Sequence, residues 1–263
     1  MHTHYEFPVR QVLWTLTFAS QLVLLVVLLG RDRARRYPWF TAGIALFALQ
    51  LMTEELLSGR MAMLPLQVIL LTLADLGVIL ALLVVVEVAR SAFAGVQRSL
   101  WIVNTVGLLA VAGIGLVFWG PWPAGKDLAL DSTLGRLRMM QLAALKGNTL
   151  VYLLMVELGL LVVLFGRHFK AGWRSHTQMI SIGLSTAAIA WLASQAVVQS
   201  IIKTAHPHSR AEYVRVLDLI GKLLNANKLV YLAVLVWWIV WLWLDEPGAA
   251  KSEPSAENTE LGS

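Results

Sequence analysis

Again and again this chain runs for about 20 residues with almost no charge, the length an α-helix needs to cross the hydrocarbon of a bilayer. Leu22–Gly30 and Leu76–Val86 are unbroken apolar stretches. Segments of this kind require lipid or an unusually large buried core. The remaining composition decides between them: 58% of the 263 residues are hydrophobic and only 14% are charged, against roughly 45–50% apolar and about 25% charged in an ordinary globular domain. The predicted class is therefore all-α, a polytopic membrane protein built as a bundle of about seven transmembrane helices. Its first partner is the lipid bilayer. These residues leave no room for a soluble catalytic domain, and the absence of Cys excludes disulfide frameworks, thiolate nucleophiles, iron–sulfur clusters and Cys-based zinc sites. The net charge of +5 reads as basic loops that fix orientation, with no nucleic-acid partner.

The spacing predicts spans over 9–30, 37–57, 65–89, 100–120, 149–166, 179–202 and 228–244, forming one domain over 1–246. The residues at 247–263 are rich in Glu, Ser, Pro and Gly, which predicts a disordered cytoplasmic tail. Charge follows the first apolar run, as Arg31-Asp32-Arg33-Ala34-Arg35-Arg36, whereas a cleaved signal peptide carries it in front. The first span thus reads as a retained anchor. Pro38, next to Tyr37, Trp39 and Phe40, suits a first helical turn at an interface. Pro121 and Pro123 close the fourth span, because neither continues the hydrogen-bond ladder.

If the spans alternate in direction, Arg31–Arg36, Arg90, Arg98, Arg167, Lys170 and Arg174 fall on one side. Positive loops mark the cytoplasmic face, so the N-terminus is predicted outside and the C-terminus inside, as in a bacterial inner membrane. Two long outer connections show the spacing of amphipathic helices: Leu130, Leu134, Leu137, Gln141 and Leu145 in one, and Tyr213, Leu217, Ile220 and Leu224 in the other. They read either as surface helices forming a lid or platform, or as early starts of the fifth and seventh spans. A parallel duplication about the fourth span finds no shared residue pattern to support it.

Ionisable groups inside a span are the default functional candidates, because a charge in hydrocarbon is costly. Asp75 and Glu157 both belong near the midplane, and no Lys, Arg or His is predicted at their depth. They read as a proton or cation site, or as hydrogen-bonded glue between helices. Gln50 and Glu54 share a helix face one turn apart at the outer end of the second span, beside Glu55. They either line an outer vestibule or meet water and Arg60. Glu87, one turn before Arg90, is expected to form an ion pair with it. The sixth span has Ser181, Ser185, Ala188, Leu192, Gln195 and Gln199 on one stripe, and Gly183, Ala187, Ala190 and Ser194 on another. The small stripe is predicted to pack against a neighbour, and the polar one to face a cavity or to hydrogen-bond between helices. Gln11 and Gln21 repeat the theme in the first span. The last span, with Trp237, Trp238, Trp241 and Trp243, reads as apolar all round and facing lipid.

No catalytic residue, metal site or cofactor is predicted. His2, His4, His168, His176, His206 and His208 lie near helix ends and give no haem-ligand pair. A retinal protein needs a Schiff-base lysine within the last span, and Lys228 is predicted at its start. The Glu54-Glu55 pair resembles the motif of intramembrane CAAX-type proteases, but Gly59 occupies the place of the required Arg. The chain resembles uncharacterised bacterial seven-helix membrane proteins through Tyr37-Pro38-Trp39-Phe40, Glu87-Val88-Ala89-Arg90 and Gly172-Trp173-Arg174-Ser175-His176. That resemblance implies a fold and transfers no activity. The layout is also similar to the seven-helix input modules of bacterial sensors. The expected function is non-enzymatic: a receptor or sensor with an outer-open polar cavity bounded by the first, second, third and sixth spans, signalling through a cytoplasmic or membrane protein partner. The alternatives are a small proton- or cation-coupled transporter using Asp75 and Glu157, or an accessory subunit of a membrane complex.

Overall fold

The computed structural model describes residues 9–93, 98–118, 132–165, 175–205 and 209–245. The predicted disordered tail and His2, His4, His168, His206 and His208 lie outside them. Among the described residues every regular element is helical: α1 Val9–Gly30, α2 Arg33–Arg36, α3 Pro38–Leu57, α4 Met63–Ala92, α5 Arg98–Phe118, α6 Thr133–Phe165, α7 His176–Thr204 and α8 Arg210–Trp243. Six of these, α1, α3, α4, α6, α7 and α8, are long and apolar enough to cross a membrane, which marks a multi-pass membrane protein. In α5 the apolar stretch Gly107–Phe118 is shorter.

Local chemistry sets the helix starts. Pro38 supplies no N–H in the first turn of α3, and the next two N–H groups, of Trp39 and Phe40, donate to the Glu87 carboxylate at 3.0 and 2.9 Å. A carboxylate from α4 thereby caps α3, where the helix dipole favours negative charge. This corrects the expected pair of Glu87 with Arg90. Ser175 and Ser209 accept the N–H groups of Gln178 and Glu212, three residues on, in Ser-x-x-Gln and Ser-x-x-Glu patterns that start α7 and α8. Ser132 likewise accepts the Gly135 N–H at the start of α6. The turn from α1 to α2 has Asp32 at φ 55°, and the turn from α3 to α4 has Gly59 at φ 81°.

These caps lie well ahead of the predicted starts of the fifth and seventh spans. The described parts of the two outer connections are thus the N-terminal parts of α6 and α8. At 1.5 Å per residue, the 34 residues of α8 extend about 51 Å, roughly 20 Å more than the hydrocarbon thickness. Tyr213, Leu217 and Leu224 remain exposed along that extension, with Lys222 and Asp218 paired at 2.8 Å on its surface.

Neighbouring helices pack by close approach at small residues. A β-carbon on Gly159 of α6 would run into the Ser185 hydroxyl of α7, and one on Gly183 of α7 would stand 2.6 Å from Cε2 of Trp238 in α8. Trp238 is 2% exposed and meets Phe40 edge-on at 5.0 Å, while Trp243 is 54% exposed. The last helix therefore has a core face, against the expectation that it faces lipid all round. Leu24, Leu28, Tyr37, Val88, Ile180 and Leu242 are completely or almost completely buried, and they gather toward the Arg31–Arg36 end of the bundle. There Tyr37 Oη lies 2.7 Å from Thr177 Oγ1, Ser91 Oγ lies 2.8 Å from the same oxygen, and His176 Nε2 lies 3.0 Å from the Leu244 carbonyl oxygen. Arg31 and Arg33 approach Asp245 at 3.5 and 3.6 Å, and Arg31 also covers the Trp243 ring. The opposite end of the bundle is packed less tightly.

Candidate functional site

Helix α7 packs against both α6 and α8, and α3 and α4 close the other side. The space these five helices leave is a cavity of about 250 Å³. Its deep end is apolar: Phe40 and Ile44 of α3, Val84 of α4, Met155 of α6, Leu184 of α7 and Trp238 of α8. Its other end, away from Arg31–Arg36, carries the polar groups. Asn148 and Tyr152 come from α6, and Asn227, Lys228 and Tyr231 from α8, with Trp191 of α7 beside them. Tyr152 and Trp191 hold each other with ring centroids 4.5 Å apart. Tyr231 Oη accepts the Gln21 side-chain N–H at 3.3 Å, which leaves the phenol's own proton free to donate.

This division suits an amphipathic guest. Apolar walls with a few convergent polar groups are the usual make-up of a small-molecule site, and the volume lies just under the roughly 300–1,000 Å³ of such sites. Among the described residues Lys228 forms no ion pair, and the Asn148 and Asn227 amides hydrogen-bond to no side chain or backbone group. No carboxylate is among the described residues that line the cavity. Although α8 begins well before Lys228, its extra length projects beyond the hydrocarbon, so Lys228 stays near the start of the span, and a protonated Schiff base there would find no carboxylate among the described lining residues.

The residues singled out in the sequence are not gathered at this cavity. Ser185 is nearly buried between helices, with Oγ 2.7 Å from the Met155 carbonyl oxygen of α6 and 2.8 Å from that of Ser181 in its own helix. Its stripe makes a packing face, whereas Ala187 of the small stripe lines the cavity. Gln195 and Gln199 are partly buried on α7, beyond Trp191. Gln50 is partly buried and Glu54 exposed near the end of α3. Asp75 is partly buried on α4, and none of these lines the cavity. Glu157 faces a separate groove between α5 and α6, among Gly107, Leu108, Val111, Leu160, Leu161 and Leu164. Its Oε2 is buried there, with no hydrogen-bond partner among the described residues.

Two further expectations are revised, the first by the long α6. Lys146 is only 8% exposed, and its neighbour Gly147 packs on Val78, less than one turn from Asp75, so a lysine does reach the depth of that acid. The first helix is also not a cavity wall. It packs on α3 and α8 from outside, and Gln21 is spent on Tyr231. The polar cavity residues not singled out from the sequence, Asn148, Tyr152, Asn227 and Tyr231, carried a usable signal: in each helix an Asn precedes a Tyr by four residues on one face. No protein-family profile, curated protein or solved structure matches this chain.

Proposed function

We propose that this chain is a receptor- or sensor-type protein of a bacterial inner membrane that binds a small amphipathic molecule in the cavity between α3, α4, α6, α7 and α8. It signals through a cytoplasmic or membrane protein partner. The observation that carries the proposal is the division of one cavity into an apolar floor at Phe40 and Trp238 and a rim of internally unused polar groups at Asn148, Asn227 and Lys228. Asn148 and Asn227 are half-buried and Lys228 is exposed, so these donors meet water when the cavity is empty, and a bound head group would take the place of that water. The seven-span arrangement with the N-terminus outside is part of the same reading. It is supported by α5 running antiparallel to α6, with Gly115 against Leu153 at one end and Leu108 near Leu161 at the other. In that arrangement the polar rim opens outward, where a ligand would arrive, and the Arg31–Arg36 end faces the partner.

The test is saturable binding by the full chain in lipid nanodiscs, with empty nanodiscs subtracting simple partition. Radiolabelled octanoate, octanol and octylamine serve as a probe set. At least one is expected to bind at one site per chain, and Ala187→Trp, which fills the cavity, is expected to abolish that binding while the protein stays folded. Partition equal to that of empty nanodiscs for all three probes would overturn the proposal.

A second reading, a proton- or cation-coupled transporter, is favoured by the Oε2 of Glu157, which is buried beside the α5–α6 groove and has no partner among the described residues. Proton flux into proteoliposomes, lost in Glu157→Gln, would support that reading instead.

A further inference from the structure

The six residues Asn148-Thr149-Leu150-Val151-Tyr152-Leu153 of α6 recur in α8 as Asn227-Lys228-Leu229-Val230-Tyr231-Leu232, with one difference. Both helices run antiparallel to α7, since Gly159 meets Ser185, Tyr152 meets Trp191, Gly183 meets Trp238 and His176 meets Leu244. The two copies therefore run in the same direction, on either side of one cavity. Each copy contributes its Asn and its Tyr to the lining. An Asn and a Tyr four residues apart lie on one helix face, so each copy presents an amide and a phenol as a pair. The single difference between the copies puts Lys228 where α6 has Thr149, and Lys228 lines the cavity too.

We infer that the two Asn–Tyr pairs and Lys228 recognise a carboxylate, so that the ligand is a short-chain amphiphilic carboxylate with its chain toward Phe40 and Trp238. This rests on the binding reading above and names the chemistry of the head group. Two like pairs of donors on opposing helices match a ligand group with two equivalent acceptor atoms. A carboxylate has two such oxygens, and each accepts from one N–H and one O–H. Tyr231 is prepared for this, because the Gln21 N–H occupies its oxygen as an acceptor and directs its proton elsewhere. Among the described lining residues there is one ammonium and no carboxylate, which gives that part of the rim a single positive charge. That charge selects an anion over a neutral or cationic head group. The chain must be short, since from Asn227 to Trp238 the helix rises only about 16 Å.

The experiment compares octanoate, octanol and octylamine against the same full chain in nanodiscs. Octanoate is expected to bind at least tenfold more tightly than octanol. Asn148→Ala and Asn227→Ala are each expected to weaken octanoate about tenfold and by similar factors, as for hydrogen bonds to a charged group. Lys228→Met should remove the preference for octanoate over octanol. Should an alanine variant fail to fold, Asn227→Asp keeps the shape of the side chain and is expected to turn the preference toward octylamine. Equal binding of octanoate and octanol, unchanged in the Asn and Lys variants, would overturn the carboxylate inference and leave the cavity reading standing. Saturable binding of none of the three would overturn both.

Discussion

Gly183 and Trp238 meet so closely that the indole ring stands where a β-carbon on the glycine would be, with Cε2 at 2.6 Å. The ring cannot retreat easily, because Phe40 holds it edge-on at 5.0 Å and it forms part of the cavity floor. Gly183→Ala is therefore expected to destabilise the protein by about 1–3 kcal/mol, the usual result of overpacking. Gly113→Ala is the control, since nothing lies within 4 Å of a β-carbon there, and helix propensity alone predicts no loss. Thermal unfolding in detergent measures both. Equal losses at the two positions would show that the α7–α8 contact is not the cause.

Glu87 makes a second prediction, about a helix start. Its carboxylate accepts two first-turn N–H groups of α3, so Glu87→Ala is expected to cost about 1–2 kcal/mol, in the range of a lost N-cap. Glu87→Gln should cost less, since one amide oxygen still accepts but the favourable charge at the helix N-terminus is gone. Arg90→Ala should change little. A loss at Arg90 as large as that at Glu87, read by thermal unfolding, would restore the ion pair as the relevant contact.

Topology gives a third. With α5 as a crossing, the turn at Gly59 and the connection at Ala124 lie on one side of the membrane, and the Arg31–Arg36 turn and the end of α8 on the other. Reporters that are active only in the periplasm are expected to work at Gly59 and Ala124 and to fail after Leu244, with the reverse for cytoplasmic reporters. Activity of the periplasmic reporter after Leu244 together with its failure at Gly59 would invert the orientation.

Sequence alone revealed the solvent and most of the helices. Apolar runs such as Leu22–Gly30 need lipid or a large core, the low charge content decides for lipid, and Pro38 marks the start of α3 by its missing N–H. Where hydropathy was the only ruler, the starts of α6 and α8 came too late, because a helix does not stop where the membrane does. The Ser132 cap of α6 and the Ser209-x-x-Glu212 cap of α8 were readable in principle and better indicators than apolar length. The site was less legible. Charge drew attention to Asp75 and Glu157, while the cavity rim is made largely of Asn and Tyr, whose polarity is modest and whose positions looked like a helix start. Which stripe of α7 packs and which lines a cavity depends on its neighbours: Ser185 is buried because Gly159 has no side chain. That information is spread over distant parts of the chain.

The last prediction concerns Glu157, and it separates a structural acid from a working one. Among the described residues its buried Oε2 has no hydrogen-bond partner, and the groove around it is lined by Gly107, Leu108, Val111 and leucines of α6. A polar atom in that position opposes folding, because it has left water and gained nothing in return. Glu157→Leu removes the atom at similar volume and is expected to leave thermal stability unchanged or raise it, by up to about 2 kcal/mol. Glu157→Gln keeps one partnerless polar atom and adds donors that also need partners, so no gain is expected from it. If the carboxyl were glue between helices, both substitutions would lower stability, the leucine more than the glutamine. A gain with Leu and none with Gln would show that the acid is kept at the expense of stability, as functional groups are. Proton flux in proteoliposomes then tells which function: loss in both variants assigns Glu157 to transport, and unchanged binding of the octyl probes in both would show that the α5–α6 groove and the α6–α8 cavity work independently.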